Sequence, residues 1–301
     1  MKKWTTDNIP DLSGKTILVT GANSGLGFET SLVLAEKGAS IIMACRNQQK
    51  AEEAKKRVIG IVPAARITLV RLDLADLDSV RTCAEAVIKM NPRLDVLINN
   101  AGVMATPYSQ TKQGFELQFG SNYLGHFALT GLLLPLLLVT PSSRIVSLSS
   151  SAANYAKFDF DDIMTERKKY KPYQAYGQAK LANLVFALEL ARKLEASRSE
   201  TIAVAVHPGV SPTNLQRTSG FLTEKIITPL ISQSADKAAL PSLLAATDSA
   251  VANGSYWGPS GFMELKGLPG PAVIPKQAKD LIAARRLWEL GERLTGVKYS
   301  F

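Results

Sequence analysis

Residues 16–36 read TILVTGANSGLGFETSLVLAE. The first five are apolar or β-branched and suit a buried strand, whereas FETSLVLAE suits a helix. Between them Gly21, Gly25 and Gly27 follow the spacing G-x-x-x-G-x-G, with Asn23, Ser24 and Leu26 in the same turn. Gly21 permits a tight strand-to-helix turn, and Gly25 and Gly27 leave backbone room beside a pyrophosphate. Ser24 can cap the helix, whose first amides attract an anion. Strand, glycine turn and helix in this order predict the first unit of a dinucleotide-binding sheet.

The same alternation continues outward. SIIMAC (40–45), ITLVRLD (67–73), LDVLIN (94–99), SRIVSLS (143–149) and TIAVAV (201–206) read as strands. Their near-continuous apolar character is what a parallel strand covered on both faces requires. Asp76 suits the cap of a helix with Val80, Cys83, Ala84, Val87 and Ile88 on one face. AYGQAKLANLVFALELARKL (175–194) lacks proline and is rich in helix formers, and 234–247 and 276–294 also read as helical. The pattern predicts a single-domain, three-layer α/β fold with a doubly wound, Rossmann-like parallel sheet. Right-handed crossovers then put every strand C-terminus on one edge, where ligands bind.

Composition narrows the function. The 301 residues are 46% hydrophobic, enough for a large core. The apolar run FALTGLLLPLLLV (127–139) falls short of the about 20 residues a membrane span needs and reads as a core or interface helix. MKKWTTDNIPDLSG is polar and turn-rich, unlike a signal peptide, and Cys45 and Cys83 lie in apolar settings without metal spacing. A reducing, cytoplasmic setting is expected. The net charge of +9 is spread over the chain, with clusters at 55–58 and 166–171 that read as solvated faces. No nucleic-acid motif accompanies it, so no nucleic-acid partner is expected. An anionic cofactor or a peripheral contact with an anionic membrane surface remains compatible with the sign. Asp159, Asp161 and Asp162 read as surface carboxylates rather than a metal site, and no metal is expected.

The end of the second strand selects the cofactor. A protein that binds NAD(H) usually offers a carboxylate there to the ribose hydroxyls. Here the residues are Cys45, Arg46 and Asn47. A guanidinium grips a 2′-phosphate through paired charge-assisted bonds, so NADP(H) is expected over NAD(H), with Arg46 on the phosphate and Lys50 as helper. Further along, YGQAK places Tyr176 and Lys180 four residues apart on one helix face. An adjacent ammonium lowers the pKa of a phenol toward the range of a useful acid or base. NNAG (99–102) follows another strand and permits close approach to a ribose. SLSSS (147–151), NYLGHF (122–127, with Asn122) and HPGVSPT (207–213) complete the set at strand ends and one helix.

Over residues 14–215 the chain resembles the short-chain dehydrogenase/reductase family, most closely its retinol dehydrogenase-type branch, through GANSGLG, ACRN, NNAGVM, NYLGHF, SRIVSLSSSA, AYGQAKLANLVFALELARKL and HPGV. The resemblance implies that Tyr176 protonates a carbonyl oxygen during reduction and that Lys180 lowers its pKa and holds the nicotinamide ribose. It implies Ser150, with Ser149 second, as the hydroxyl that bonds substrate, and Asn122 as positioning Lys180 through a water. Asp73 and Leu74 would contact the adenine, Asn100, Ala101 and Gly102 the ribose, and Pro208, Gly209, Val210 and Thr213 the carboxamide and phosphate. His126 and His207 are expected to be structural or packing residues rather than catalysts. The long interval between serine and tyrosine could wall the pocket with Tyr155, Phe158, Tyr170 and Tyr173. Residues 211–233, including GFLTEKIITPLI (220–231), suit a lid over a small apolar carbonyl or alcohol, retinoid- or steroid-like, or equally a packed connecting helix. The helices around 127–139 and from Tyr176 match the family's subunit interfaces, so a homodimer is expected, although this chain's own sheet could equally cover the leucine-rich face. The expected activity is an NADP(H)-dependent oxidoreductase. The alternative is a binding protein that senses the cofactor without turnover.

Overall fold

The computed structural model describes residues 3–209 and 233–301. The expected lid at 211–233 therefore lies outside the described residues except for Gln233, as do Val210 and Thr213. Eight strands form one sheet in the order β3-β2-β1-β4-β5-β6-β7-β8. They are β1 Thr16–Thr20, β2 Ser40–Cys45, β3 Arg66–Arg71, β4 Val96–Asn99, β5 Arg144–Leu148, β6 Ile202–Val206, β7 Tyr256–Pro259 and β8 Pro269–Pro271. All neighbours pair in parallel except β7 and β8, which are antiparallel. The reversal of strand order between β1 and β4 creates the crevice at which doubly wound sheets bind ligands.

Helices cover both faces. On one lie α1 Gly25–Glu36, α2 Gln48–Ile61 and α6 Ala235–Thr247, and on the other α3 Leu77–Met90, α4 Leu117–Leu138, α5 Pro172–Ala196 and α7 Leu281–Thr295. Asp76 caps α3 by accepting from the Asp78 amide, as its type and place predict. Ile88, expected on the buried face of α3, is instead 45% exposed, one step past Val87 around the helix. The expectation of strands covered on both faces holds for the inner strands but not for β3, whose residues alternate between exposed and partly covered because it is an edge. β7 and β8 carry Pro and Gly, which hid them as strands; such residues are tolerated in β8 at the opposite edge, and in β7 the proline is the last strand residue. The last expected helix, 276–294, splits into a short turn at Lys276–Lys279 and α7, because Asp280 accepts from the Ile282 and Ala283 amides and restarts the helix.

α4 is longer than its apolar run. A π turn at Gly120–Leu124 joins Leu117–Phe119 to Gly125–Leu138 into 22 residues, long and apolar enough by length and composition to cross a membrane. It is nonetheless packed inside the protein. Part of its outer side, and of that of α5, packs against α7 and the C-terminal tail. Trp288 and Tyr299 close on Phe127 with ring centroids 5.3 and 4.9 Å away. The Tyr299 hydroxyl donates to the Phe127 carbonyl at 2.6 Å, and that of Tyr123 donates to the Leu287 carbonyl at 3.0 Å. A Cβ on Gly131 would fall 2.7 Å from Tyr299, so only glycine admits the tail so closely. Part of the helix faces expected at a dimer interface thus packs on this chain's own C-terminal segment. Trp288→Ala is expected to lower the unfolding free energy by about 3–5 kcal/mol, the usual cost of truncating a buried tryptophan. Denaturant titration checks this, and an unchanged midpoint would mean that the tail packs weakly.

Candidate active site

The expected site residues collect along the C-terminal edge of the sheet. At the end of β1, Gly21 adopts φ +67, a conformation glycine takes without strain, and the backbone turns into α1. Gly25 likewise has a φ of +53. Ser24 sits at the cap position of α1, but its side chain makes no hydrogen bond to the helix amides, contrary to the expected cap. The first-turn amides of α1 are thereby left for an anion rather than for their own side chain. Gly27 serves packing more than ligand approach. A Cβ there would lie 2.5 Å from both Asn100 Nδ2 and the Gly21 carbonyl oxygen. Asn23 and Leu26 complete the turn between these glycines.

Beside this turn, Arg46 is exposed at the end of β2 and makes no hydrogen bond or ion pair among the described residues. Asn47 caps α2 by accepting from the Lys50 amide at 2.9 Å, which sets the exposed Lys50 in the first turn of α2. After β3, Asp73 accepts from the Ala75 amide at 3.0 Å. The Leu74 carbonyl presses on Gly125, where a Cβ would approach it to 2.6 Å.

The loop after β4 is held by a residue the motifs did not single out. Thr20 Oγ1 accepts from the Asn100 and Ala101 amides, each at 2.9 Å, and Asn100 Nδ2 donates to the Thr20 carbonyl at 2.7 Å. The signal available was a hydroxyl on the last residue of an otherwise apolar buried strand. Asn122, fully buried in the π turn, grips the loop further on. Its Oδ1 accepts from the Val103 amide at 2.8 Å and its Nδ2 donates to the Val103 carbonyl at 2.9 Å. The main-chain carbonyl of Asn122 accepts from His126 Nδ1 at 2.9 Å and keeps a second lone pair for the expected water link to Lys180. Gly102, between these grips, is approached by Asn122 Oδ1 and Lys180 Nζ, 3.2 and 3.4 Å from where its Cβ would be.

The two serine candidates separate because successive strand residues face opposite sides. Ser149 is buried and donates to the Lys180 main-chain carbonyl at 2.8 Å. Ser150 lies beside the Tyr176 hydroxyl, whose pKa it lowers, and accepts from the Ala152 amide at 3.2 Å. Tyr176 and Lys180 share a face of α5, with the ammonium 5.9 Å from the centre of the ring. Lys180 Nζ and Asn183 Nδ2 both donate to the Leu148 carbonyl, at 3.1 and 3.0 Å. Burial pushes Lys180 down to about 8. It also pushes Tyr176 up to about 12, against the opposing pull of Ser150. Desolvation thus sets the Tyr176 shift, without the expected lowering by the lysine, and Tyr176 is held as a protonated acid at neutral pH.

At the end of β6, Gln233 Nε2 donates to the Pro208 carbonyl at 3.0 Å. Gly209 has φ +68 and no room for a Cβ beside the Leu265 carbonyl, 2.4 Å away. His207 is buried against Glu264, with Nε2 and Oε2 3.0 Å apart. The expected aromatic wall is not assembled beside Tyr176. Tyr155 and Tyr173 are 84% and 57% exposed and line a separate cleft of about 450 Å³. The Tyr170 hydroxyl is committed to Glu116 and Gln118, and Phe158 packs on Phe160. Of the acidic residues expected at the surface, Asp162 is buried and accepts from the Glu166, Arg167 and Lys168 amides, while Asp159 pairs with Lys168 and Asp161 with Arg286. The glycine turn with uncapped amides, the free guanidinium and the doubly gripped loop fit a nicotinamide dinucleotide laid across this edge.

Comparison with known proteins agrees with this geometry. The family described as short chain dehydrogenase matches residues 15–220. The chain is 42% identical over 296 residues to retinol dehydrogenase 13 of Homo sapiens, covering 95% of this chain and 86% of that protein. It is 40% identical over 303 residues to retinol dehydrogenase 14 of Mus musculus, covering 95% and 87%. The crystal structure of an uncharacterized protein from Mycobacterium Paratuberculosis matches with a TM-score of 0.84 at 38% identity and covers 100% of both chains. A protein from Shigella flexneri 2a str. 301 described as a short chain dehydrogenase complexed with NADP matches at TM-score 0.65 and 26% identity, over 82% of this chain and 97% of that one.

The buried lysine has a measurable signature. Lys180 is held near 8 against 10.5 for a free side chain, so the folded chain binds fewer protons than the unfolded chain between those values. Stability from this group therefore rises with pH across that window. Tyr176, shifted the other way, lowers stability only above pH 10. Between pH 8 and pH 10 the urea midpoint of Lys180→Met should climb less than that of the wild type. Parallel curves would contradict the buried ammonium.

Proposed function

The chain belongs to the short chain dehydrogenase family, and on that premise we propose that it is an NADP(H)-dependent oxidoreductase acting on an apolar aldehyde, ketone or alcohol. The observation that carries this is the meeting of Ser150, Tyr176 and Lys180 at the end of β5, on the same sheet edge as the glycine turn. Arg46 supports the preference for the phosphorylated cofactor, since its guanidinium is free and lies at the strand end where the 2′ group is recognised. Support for an apolar substrate comes from the retinol dehydrogenases, whose name is that of an apolar alcohol.

The cofactor, when bound, supplies or accepts the hydride. What remains for the protein is orientation and the proton. Gly21, Gly25 and the α1 amides would hold the pyrophosphate, Arg46 with Lys50 the 2′-phosphate, Asp73 and Leu74 the adenine, and Asn100, Ala101 and Gly102 the ribose. Pro208 and Gly209 would border the carboxamide. Ser150, beside the Tyr176 hydroxyl, would offer its own hydroxyl to a substrate oxygen placed between the two. Tyr176, protonated at neutral pH, gives its proton to that oxygen as negative charge develops. Lys180, charged below about 8, stabilises the phenolate left behind. In the reverse direction Tyr176 must lose its proton first, and its high pKa makes the residues of this chain better suited to reduction near neutrality.

Two variants test the proposal with NADPH and a panel of apolar aldehydes and ketones. Tyr176→Phe should cut kcat by about 10²-fold or more while leaving NADPH affinity nearly intact, the usual contribution of a positioned proton donor. Arg46→Ala should weaken NADPH by about 10-fold or more, from lost bonds to a charged group, and leave NADH nearly unchanged. Wild-type protein that binds NADPH without turning over any of the panel would favour a cofactor sensor. Tighter NADH than NADPH binding would overturn the cofactor assignment.

A further inference from the structure

His126 sits one helical turn after Asn122 in α4, fully inside the protein at 2% exposure. Both ring nitrogens are hydrogen-bonded, Nε2 to Thr20 Oγ1 and Nδ1 to the Asn122 main-chain carbonyl, each at 2.9 Å. The direction of these bonds follows from counting protons. Thr20 Oγ1 already accepts two amide protons, from Asn100 and Ala101, which uses both its lone pairs. Its own proton must therefore be donated. The Ile98 carbonyl is 3.4 Å away and His126 Nε2 is 2.9 Å away, so the imidazole is the better acceptor. Nε2 then carries no proton, Nδ1 carries it, and the Nδ1–H bond to the Asn122 carbonyl is the one that tautomer makes.

These bonds close a ring through the chain. Thr20 holds Asn100 and Ala101, Asn122 holds Val103 with both ends of its amide, and His126 joins Thr20 to Asn122. Gly102 lies inside the ring, facing Lys180 Nζ. We propose that His126 is a positioning residue for the hydride-transfer site, acting in its neutral Nδ1–H tautomer to lock the loop of residues 100–103 and the Asn122 carbonyl in register with Lys180. The proposal rests on the oxidoreductase reading given above. A second proton on the ring would set Nε2–H against the Thr20 hydroxyl and break the ring where it meets β1. Burial, and with it the nearby Lys180 charge, opposes that proton and holds His126 down to about 4, despite the favourable bond to Asn122.

The chain has only two histidines, so the tautomer can be read directly. Long-range ¹H–¹⁵N spectra of ¹⁵N-histidine-labelled protein, with His207→Gln to assign the signals, should show His126 neutral and protonated on Nδ1 at pH 7. An Nε2–H tautomer or an imidazolium at that pH overturns the proposal whether or not the protein is an active reductase. Kinetics supply the second arm. His126→Phe keeps a ring but removes both bonds, and it should weaken NADPH binding and kcat/KM by about 10-fold or more, the scale of lost buried hydrogen bonds. His126→Gln keeps a donor and an acceptor and should recover most of that loss. In a Thr20→Val background His126→Phe should add less than about 3-fold, because the ring is already open. Full activity in His126→Phe, or losses that simply multiply with those of Thr20→Val, would reduce the histidine to packing. If His126→Phe fails to fold, His126→Gln and the tautomer measurement still decide. Wild-type protein without NADPH binding or turnover would instead count against the oxidoreductase reading and leave the tautomer result standing.

Discussion

A single buried hydroxyl, Thr20 Oγ1, fastens three segments that lie far apart in the sequence. It receives the amides of Asn100 and Ala101 and reaches His126, so the ends of β1 and β4 and the middle of α4 meet at one atom. A polar atom in this position is costly unless every bond is made, and here every bond is made. That constraint fixes the loop on which Gly102 faces Lys180, and it ties the glycine turn of β1 to the same frame through Asn100 Nδ2. Gly27 belongs to this frame as well, since its missing Cβ is what allows the Asn100 side chain to lie against α1.

Around that frame the electrostatics are set by desolvation more than by proximity. Tyr176 and Lys180 are neighbours on α5, yet burial raises the phenol and lowers the amine. Both shifts favour the neutral form of each group. A phenol that keeps its proton and an amine near its midpoint make a proton-donating pair whose balance responds to charge brought to the edge. The Leu148 carbonyl, shared by Lys180 and Asn183, keeps the amine at the strand end.

The opposite layer shows how the chain closes its own surface. α4 is apolar on nearly every side from Gly125 onward, and α5 is buried along most of its length, so both need cover on more than one side. The sheet covers one side, and α7 with the tail from Val297 to Phe301 covers another, through stacked and edge-on contacts among Phe127, Phe186, Trp288 and Tyr299. The glycine at 131 is the local concession that lets Tyr299 reach the Phe127 carbonyl.

What the sequence determined by itself is the part governed by short-range rules. Alternating apolar runs, Gly21 at a strand end and Asp76 before an apolar helix specify six of the seven parallel strands, their order of appearance and the helices between them. Tyr176 and Lys180 are on one face because a helix repeats every 3.6 residues. What only the tertiary structure decided depends on distances between remote segments. Ser150 was separated from Ser149 by which side of β5 meets α5. Ile88 and β3 were misjudged because exposure at an edge is a property of neighbours, not of spacing. The direction of the Tyr176 shift turned on burial that no local pattern encodes, and the role of His126 on a threonine 106 residues away. β7 and β8 stayed hidden because proline and glycine argue against strands everywhere except at an edge or a strand end, and only the assembled sheet reveals where these lie.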